Sequence, residues 1–531
     1  MKKHIIFIIV LVSLVHLGSL FGDFVYDDHT VIVNNDFIKS AENLKYLFSR
    51  KYLSTFDDIL SGYKTDNFSS GETTYRPVAT LTYFIDYSLF KLNPFGWRLT
   101  NLAIHIVNAI LLYLLLNILF SNTKVSFFSA ILFGIHPLYA EVLNCTAFRP
   151  NSLAFLFSIL AIILYLKFRS RAGSPRFSYL FISLASSLLA LFSKEIAVVL
   201  PLALALCEYY LLDFDFKRLL QSWRYYALYF IVVILYLLVY FIIMPPTQKI
   251  FIPVNQNIFI DFIRMFDILA IYIKSMLWPL ELVFIPPMIV QASVARIISG
   301  AIVLLVSIYI VARKTKLPKE VSFGVLWFFL WLLPMNNFMN TFRILLAYRY
   351  VYAAGAAFAI ILGFILARVW QREAGFLREM FILRRFMVFS CFAFFAMNSI
   401  FTDVLWKDED ILLLSVAEKY PHNPYAHIAI GRRMLSRGNY EAGVEEFNAV
   451  LSMAPGFVTA QDLGMAYSGL GMAYCLEAEY AKSRETYLRA IKLFPQQARL
   501  YIGLGICYNQ QGLDKEAEEQ FQKAKQIKKG R

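Results

Sequence analysis

The stretch Gly22-Asp23-Phe24-Val25-Tyr26-Asp27-Asp28 follows without a gap on an apolar run, His4 to Phe21, which is itself preceded by Met1-Lys2-Lys3. That order decides the fold. Lysines before the run and no A-x-A-like cleavage site after it predict an uncleaved signal-anchor helix, with its N-terminus in the cytoplasm. Two adjacent carboxylates then emerge on the far side of the bilayer, about one turn beyond a membrane helix. Ionisable groups in such places usually mark function. Taken alone, the Asp27-Asp28 pair also fits a solvated loop or a helix cap.

The pattern repeats outward from there. Of 531 residues, 59% are hydrophobic, 17% aromatic and 17% charged, whereas soluble globular proteins carry about a quarter charged. Such a chain takes lipid as its solvent. Further apolar runs approach the ~20 residues that cross the hydrocarbon. They fall at 99–120, 125–143, 152–168, 177–193, 196–212, 225–243, 292–312, 322–339, 350–368 and 386–402. The run at 262–285 carries Asp267, Lys274, Pro279 and Glu281, with Asp261 and Arg264 at its edge. Counted as a span it would put later basic loops on the wrong side, so it reads as re-entrant or interfacial. The expectation is an all-α, polytopic membrane protein of about eleven spans plus one re-entrant segment.

The net charge of +14 collects in short loops: Lys167, Arg169, Arg171 and Arg176, then Lys217, Arg218 and Arg224, then Arg313, Lys314, Lys316 and Lys319, then Arg368, Arg372, Arg384 and Arg385. Basic loops of this kind set topology and exclude nucleic acid as the partner. The five cysteines show no CxxC or Cys/His spacing, so neither a zinc site nor a disulfide framework is indicated. Two N-glycosylation tripeptides occur, Asn67-Phe68-Ser69 and Asn144-Cys145-Thr146.

The membrane part is read as 1–402, with a long polar external loop at 23–98, then a linker helix at 403–420 and a repeat module at 421–531. Pro421 leads into the first unit, and Pro455 and Pro495 close the first and second. Leu470-Gly471, Tyr474, Tyr487 and Ala490 recur at matching offsets as Leu504-Gly505, Tyr508, Phe521 and Ala524. This is the tetratricopeptide pattern, here three repeats of an α-solenoid. The concave face of such a stack commonly holds a peptide or protein.

The predicted topology puts several polar clusters on one side of the membrane. Beside Asp27 and Asp28 stand Tyr75-Arg76-Pro77, then His136-Pro137 with Glu141 and Arg149, then Ser193-Lys194-Glu195, and finally Arg343, Arg349 and Tyr350. A carboxylate can accept a proton from an attacking hydroxyl, and arginines or lysines can stabilise a departing phosphate. Blander roles fit each cluster too: a loop ion pair for Arg76, a packed ring for His136, a solvated turn for Lys194, head-group anchoring for Arg349. His136 and Glu141 lack a third ligand, so no metal is indicated.

Taken in order, these motifs together with Asn93-Pro94-Phe95-Gly96, Asn101, His105, Asn108, Arg349-Tyr350-Val351-Tyr352 and Trp406-Lys407-Asp408-Glu409 resemble the transmembrane-and-tetratricopeptide-repeat (TMTC) proteins. That group lies within the GT-C superfamily of membrane glycosyltransferases, which includes the protein O-mannosyltransferases. The resemblance implies transfer of a sugar, as mannose, from a dolichyl- or undecaprenyl-phosphate donor to an extracytoplasmic acceptor such as protein Ser/Thr, with inversion. It implies Asp27 as base, Asp28 as its orienting partner, and Arg76, Arg149 and Arg349 on the donor phosphate. Tyr75, His136, Glu141, Lys194 and Tyr350 would support them. A divalent metal is not implied. Partners would be membrane lipid, the polyprenyl donor and a protein acceptor held by the repeats. The expected location is a bacterial inner membrane with the repeats periplasmic, or alternatively the endoplasmic reticulum with the repeats luminal. The competing reading is a non-catalytic, membrane-anchored repeat scaffold.

Overall fold

The computed structural model describes residues 1–49, 74–169, 177–243, 258–282, 293–335, 346–371 and 378–529. Arg171, Arg176, Arg343, Arg372 and the Asn67-Phe68-Ser69 tripeptide lie outside the described residues. Two compact units result, one made of Met1–Leu53, Phe68–Leu282 and Ala292–Asp408, the other chiefly Glu409–Arg531. Among the described residues the secondary structure is helical, without strands.

The first unit contains α1 (Lys2–Val15), α2 (Pro77–Phe90), α3 (Pro94–Phe120), α4 (Thr123–Ile135), α5 (Ala140–Asn144) and α6 (Arg149–Arg169). It continues with α7 (Phe177–Ser193), α8 (Leu200–Leu211), α9 (Phe216–Gln221) and α10 (Trp223–Ile243). It ends with α11 (Ile258–Leu277), α12 (Val294–Ala312), α13 (Lys319–Leu332), α14 (Ala356–Gln371) and α15 (Arg378–Leu405). Among the described residues, five helical stretches are long and apolar enough to cross a membrane: Pro94–Phe120, Thr146–Arg169, Trp223–Ile243, Val294–Ala312 and Ile382–Leu405. Together with the apolar composition they make this a multi-pass membrane protein. α3 and α6 lie at the centre and pack on each other, and α1 and α4 pack on α3. α10 and α12 turn most of their surface outward, as exposed Ile231, Leu235, Leu238, Ile302 and Leu305 show, an apolar face suited to lipid.

Several expected spans take another form. The run at 125–143 is a helix pair bent by 48° between α4 and the Pro137–Asn144 segment. Proline disfavours helical backbone in the residue before it; His136 is extended there, and its imidazole accepts from the Leu138 amide at 3.1 Å. The runs at 4–21 and 196–212 are each a helix joined to a short 3₁₀ turn, Leu17–Phe21 and Glu195–Val199. The polar segment expected to reach residue 98 ends earlier. Pro77 opens α2, and Pro94 opens α3, with Asn93 accepting from the Phe95 amide at 3.1 Å; proline suits the first helical position because its missing N–H would have no partner there. The segment expected to be re-entrant or interfacial contains the 20-residue α11, which is not among the five helices apolar enough to cross; it packs on α12 and pairs Asp267 with Arg296 at 2.7 Å. Residues 403–405 belong to α15, so the expected linker helix is shorter, Glu409–Lys419.

The second unit adds this helix as α16, then three antiparallel pairs. They are α17 (Pro424–Ser436) with α18 (Tyr440–Leu451), α19 (Ala460–Leu476) with α20 (Tyr480–Leu493), and α21 (Ala498–Gln510) with α22 (Asp514–Lys529). Buried Phe447 fills the space beside Gly431 and Gly469, and buried Tyr487 the space beside Gly471 and Gly503. Gly438 and Gly512 turn the first and third pairs at φ of +77° and +75°. The second pair has Ala478 at the same point with φ +61°, a conformation that costs an L residue about 1–2 kcal/mol. Ala478→Gly is therefore expected to stabilise this unit by up to about 1 kcal/mol after glycine's extra unfolded-state entropy is deducted. Denaturant unfolding followed by helix signal measures it, and a destabilised variant would contradict the account.

Candidate active site

The 22–28 segment is strained in its middle and held at both ends. Tyr26 has φ +55°, left-handed backbone that is unusual for an aromatic residue and that tends to collect at functional sites. Ahead of it, the Asp23 amide donates to the Lys407 carbonyl at 2.9 Å. Behind it, the buried Asp28 carboxylate accepts from the Ala147 amide at 2.7 Å and the Cys145 thiol at 3.5 Å. Asp28 is thus an anchor. Asp27 is half-buried, and among the described residues its carboxylate accepts no hydrogen bond.

Burial pushes both carboxyls up to about 6. For Asp27, the Arg349 charge opposes burial while Asp28 and Glu141 reinforce it. For Asp28, the Ala147 amide, Arg98, the Cys145 thiol and the Val25 amide all oppose burial. A partly open carboxylate with a proton affinity near neutrality, and no donor committed to it, is what a general base requires.

Facing Asp27 is a cluster built from four distant parts of the chain. The Arg349 guanidinium pairs with fully buried Glu141, and its backbone amide donates to the same carboxylate at 2.8 Å. Arg349 also stacks over Phe148 at 4.1 Å and Tyr350 at 5.2 Å. Glu141 and its other charged neighbours raise the Arg349 pKa despite burial, so it stays cationic. Lys194 is buried, donates to Asn151 at 2.6 Å and lies over the Tyr350 ring at 5.4 Å. Burial, aided by Arg76 and Arg349, pulls its pKa down to about 7. Arg76 binds Glu195 through two nitrogens, at 2.9 and 3.4 Å. Burial pushes Glu195 up, but Arg76 and Lys194 outweigh it and hold the carboxyl at about 2. Asp27, Arg349, Glu141, Lys194, Tyr350 and Arg76 thus form one electrostatic neighbourhood. Tyr75 is buried next to it, edge-on to Phe192 at 6.0 Å.

Two candidates are placed elsewhere. Arg149 is fully buried, its guanidinium held by Asp86 at 2.5 Å, Asn101 at 2.7 Å, Thr82 at 3.0 Å and the Trp97 carbonyl at 3.1 Å. His136 donates to the Met276 carbonyl at 3.0 Å and packs on Phe395 and Phe358. Both knit helices together and neither joins the Asp27 cluster. Asn144, of the second glycosylation tripeptide, is buried with its amide on Ala140 and Asp403, so it is not a glycan acceptor. Among the described residues, no three His, Cys, Asp or Glu side chains gather as metal ligands.

Sequence reading passed over Arg98, Asp86 and Asp403, each buried at a helix end. For Arg98 and Asp403 the available signal was a charge directly beside an apolar run, which is costly at membrane depth unless paired.

Comparison with known proteins agrees in part with this architecture. Residues 76–241 match the model of the dolichyl-phosphate-mannose-protein mannosyltransferases, and residues 462–530 match the tetratricopeptide repeat. The protein O-mannosyl-transferase F38B6.6 of Caenorhabditis elegans is 30% identical over 170 residues, 32% of this chain and 23% of that protein. TMTC3 of Homo sapiens is 29% identical over 163 residues, 31% of this chain and 17% of that protein. The chain therefore aligns with less than a quarter of the length of these relatives. Among solved structures, ArnT from Cupriavidus metallidurans bound to undecaprenyl phosphate aligns with 93% of this chain and 80% of its own at 14% identity and a TM-score of 0.40. In joining a segment of the protein-mannosyltransferase type to tetratricopeptide repeats, the chain is TMTC-like.

Proposed function

We propose that the protein is a membrane glycosyltransferase that moves a sugar, as mannose, from a polyprenyl-phosphate donor to a hydroxyl, as of protein Ser or Thr, outside the cytoplasm. One observation carries the reading: Asp27, half-buried and accepting no hydrogen bond among the described residues, lies in the field of buried, cationic Arg349. The acceptor hydroxyl gives its proton to Asp27 as its oxygen attacks the anomeric carbon. The bond from that carbon to the phosphate oxygen breaks, and the lipid phosphate leaves with the electron pair. Attack opposite the leaving group inverts the anomeric centre. Arg349, with Lys194 and Arg76 near it, stabilises the charge that grows on the phosphate. Asp28 holds the loop. Residues 1–402 perform the transfer and 421–531 bring the acceptor. The repeats then lie on the side of Asp27, periplasmic if the membrane is bacterial. Relatives named as protein O-mannosyl-transferases support the sugar and the acceptor.

Purified protein incubated with a panel of labelled polyprenyl-phosphate sugars is expected to release free lipid phosphate from one of them. Release from none would favour the scaffold reading. The pH profile adds a sign. Asp27 must have lost its proton, so kcat/KM falls as pH drops through about 6. Lys194 must keep its proton, so kcat/KM falls as pH rises through about 7. A bell with its top between these values is expected, because kcat/KM reports the free enzyme. A profile flat from acid to alkaline would contradict both assignments.

A further inference from the structure

Arg98, on the first turns of α3, lies behind the Asp27 loop rather than in it. It is buried and spends four N–H···O bonds on acceptors from three separate parts of the chain. Nη1 donates to the Ser19 carbonyl at 2.9 Å and to Asn144 Oδ1 at 2.8 Å. Nη2 donates to the Asp23 carbonyl at 2.5 Å and to the Trp406 carbonyl at 2.9 Å. Ser19 precedes the loop, Asp23 opens it, Trp406 follows α15, and Asn144 ends α5 just before the Cys145–Ala147 donors that hold Asp28. Gly22 makes the fit possible: a Cβ there would stand 2.6 Å from the Arg98 guanidinium carbon. The guanidinium therefore fills the place of a side chain at residue 22.

From this placement we infer that Arg98 is the positioning residue of the proposed base. The backbone at Tyr26 is left-handed and would relax if either end of the loop were released. Asp28 fixes one end, and Arg98, with the Lys407 carbonyl, fixes the other. A planar fork can reach all four acceptors at once, whereas an ammonium has three donors at a single point. The inference rests on Asp27 being the base. It also separates the arginines of this end of the bundle by role: Arg349 faces the reacting groups, and Arg98 acts only through the loop.

The test uses Arg98→Lys and Arg98→Gln in the full chain, assayed with the donor that wild type consumes. Misplacing a catalytic group by about 1 Å costs on the order of 100-fold in rate. The expected result is a kcat lower by about 10- to 100-fold for Arg98→Lys, and lower still for Arg98→Gln, with the donor KM within about threefold of wild type. A KM rising as far as kcat falls would make Arg98 a donor ligand and overturn the inference, as would an unchanged kcat. Asn144→Ser, which removes one of the four acceptors, guards against simple misfolding: it should lower kcat by a smaller factor in protein that still elutes as a single species. An Asn144→Ser kcat equal to wild type would also count against the clamp. Failure of the underlying reading looks different, since wild type would then release no lipid phosphate or Asp27→Asn would retain full activity.

Discussion

Asp27→Asn is expected to lower sugar transfer by about 10²–10⁴-fold, the usual contribution of a positioned base. The amide keeps the shape of the carboxylate and removes its ability to take a proton. Donor binding should survive, because the cations proposed to meet the phosphate are untouched. Rate and binding are read separately, from lipid phosphate released per minute and from retention of labelled donor. The loop supplies an internal control. Asp28 is buried and already holds the Ala147 amide and the Cys145 thiol, so Asp28→Asn should disturb the loop and lower both activity and thermal stability. An Asp27→Asn protein that turns over at the wild-type rate would end the mechanism. The same loss in both rate and unfolding midpoint for the two variants would make Asp27 a structural residue.

Removing Glu141 should have the largest effect on stability. Glu141 is completely buried and holds Arg349 by side chain and backbone together. Breaking a buried pair by deleting one partner typically costs about 3–5 kcal/mol, because the remaining charge has no compensation. Glu141→Ala is therefore expected to lower the unfolding midpoint in detergent severely and to reduce the yield of inserted protein. Glu141→Ala with Arg349→Met should recover much of that stability while remaining inactive, since no unpaired charge is left but the cation beside Asp27 is gone. A double variant no more stable than Glu141→Ala alone would show that the pair's cost lies elsewhere. The cycle of single and double variants isolates the coupling.

The membrane unit and the repeats could be read from composition and spacing because both depend on local periodicity. Gly471, Tyr487, Gly505 and Phe521 take the packing roles their offsets suggested. Interruptions in the spans were less legible. His136-Pro137 marks a bend, but nothing local shows whether such a pair crosses or turns back. In the candidate site, the carboxylates and cations could be chosen as chemical types, and most of them share one neighbourhood. Arg149 shows the limit of that method: a cation at a helix end is equally suited to phosphate or to Asp86, and only the fold decides. Arg98 shows the reverse case. Its four acceptors are three backbone carbonyls and an asparagine, none of which carries a pattern in sequence.

His16, just after α1, is buried with one ring nitrogen 2.9 Å from Asp403 near the end of α15 and the other 3.1 Å from the Gly134 carbonyl. During synthesis, α1 enters the bilayer followed by a polar ring whose acidic counterpart has not yet been made. Hundreds of residues must be translated before the two can meet. Until then the ring lacks that partner, so α1 completes its contacts only after α15 has been made.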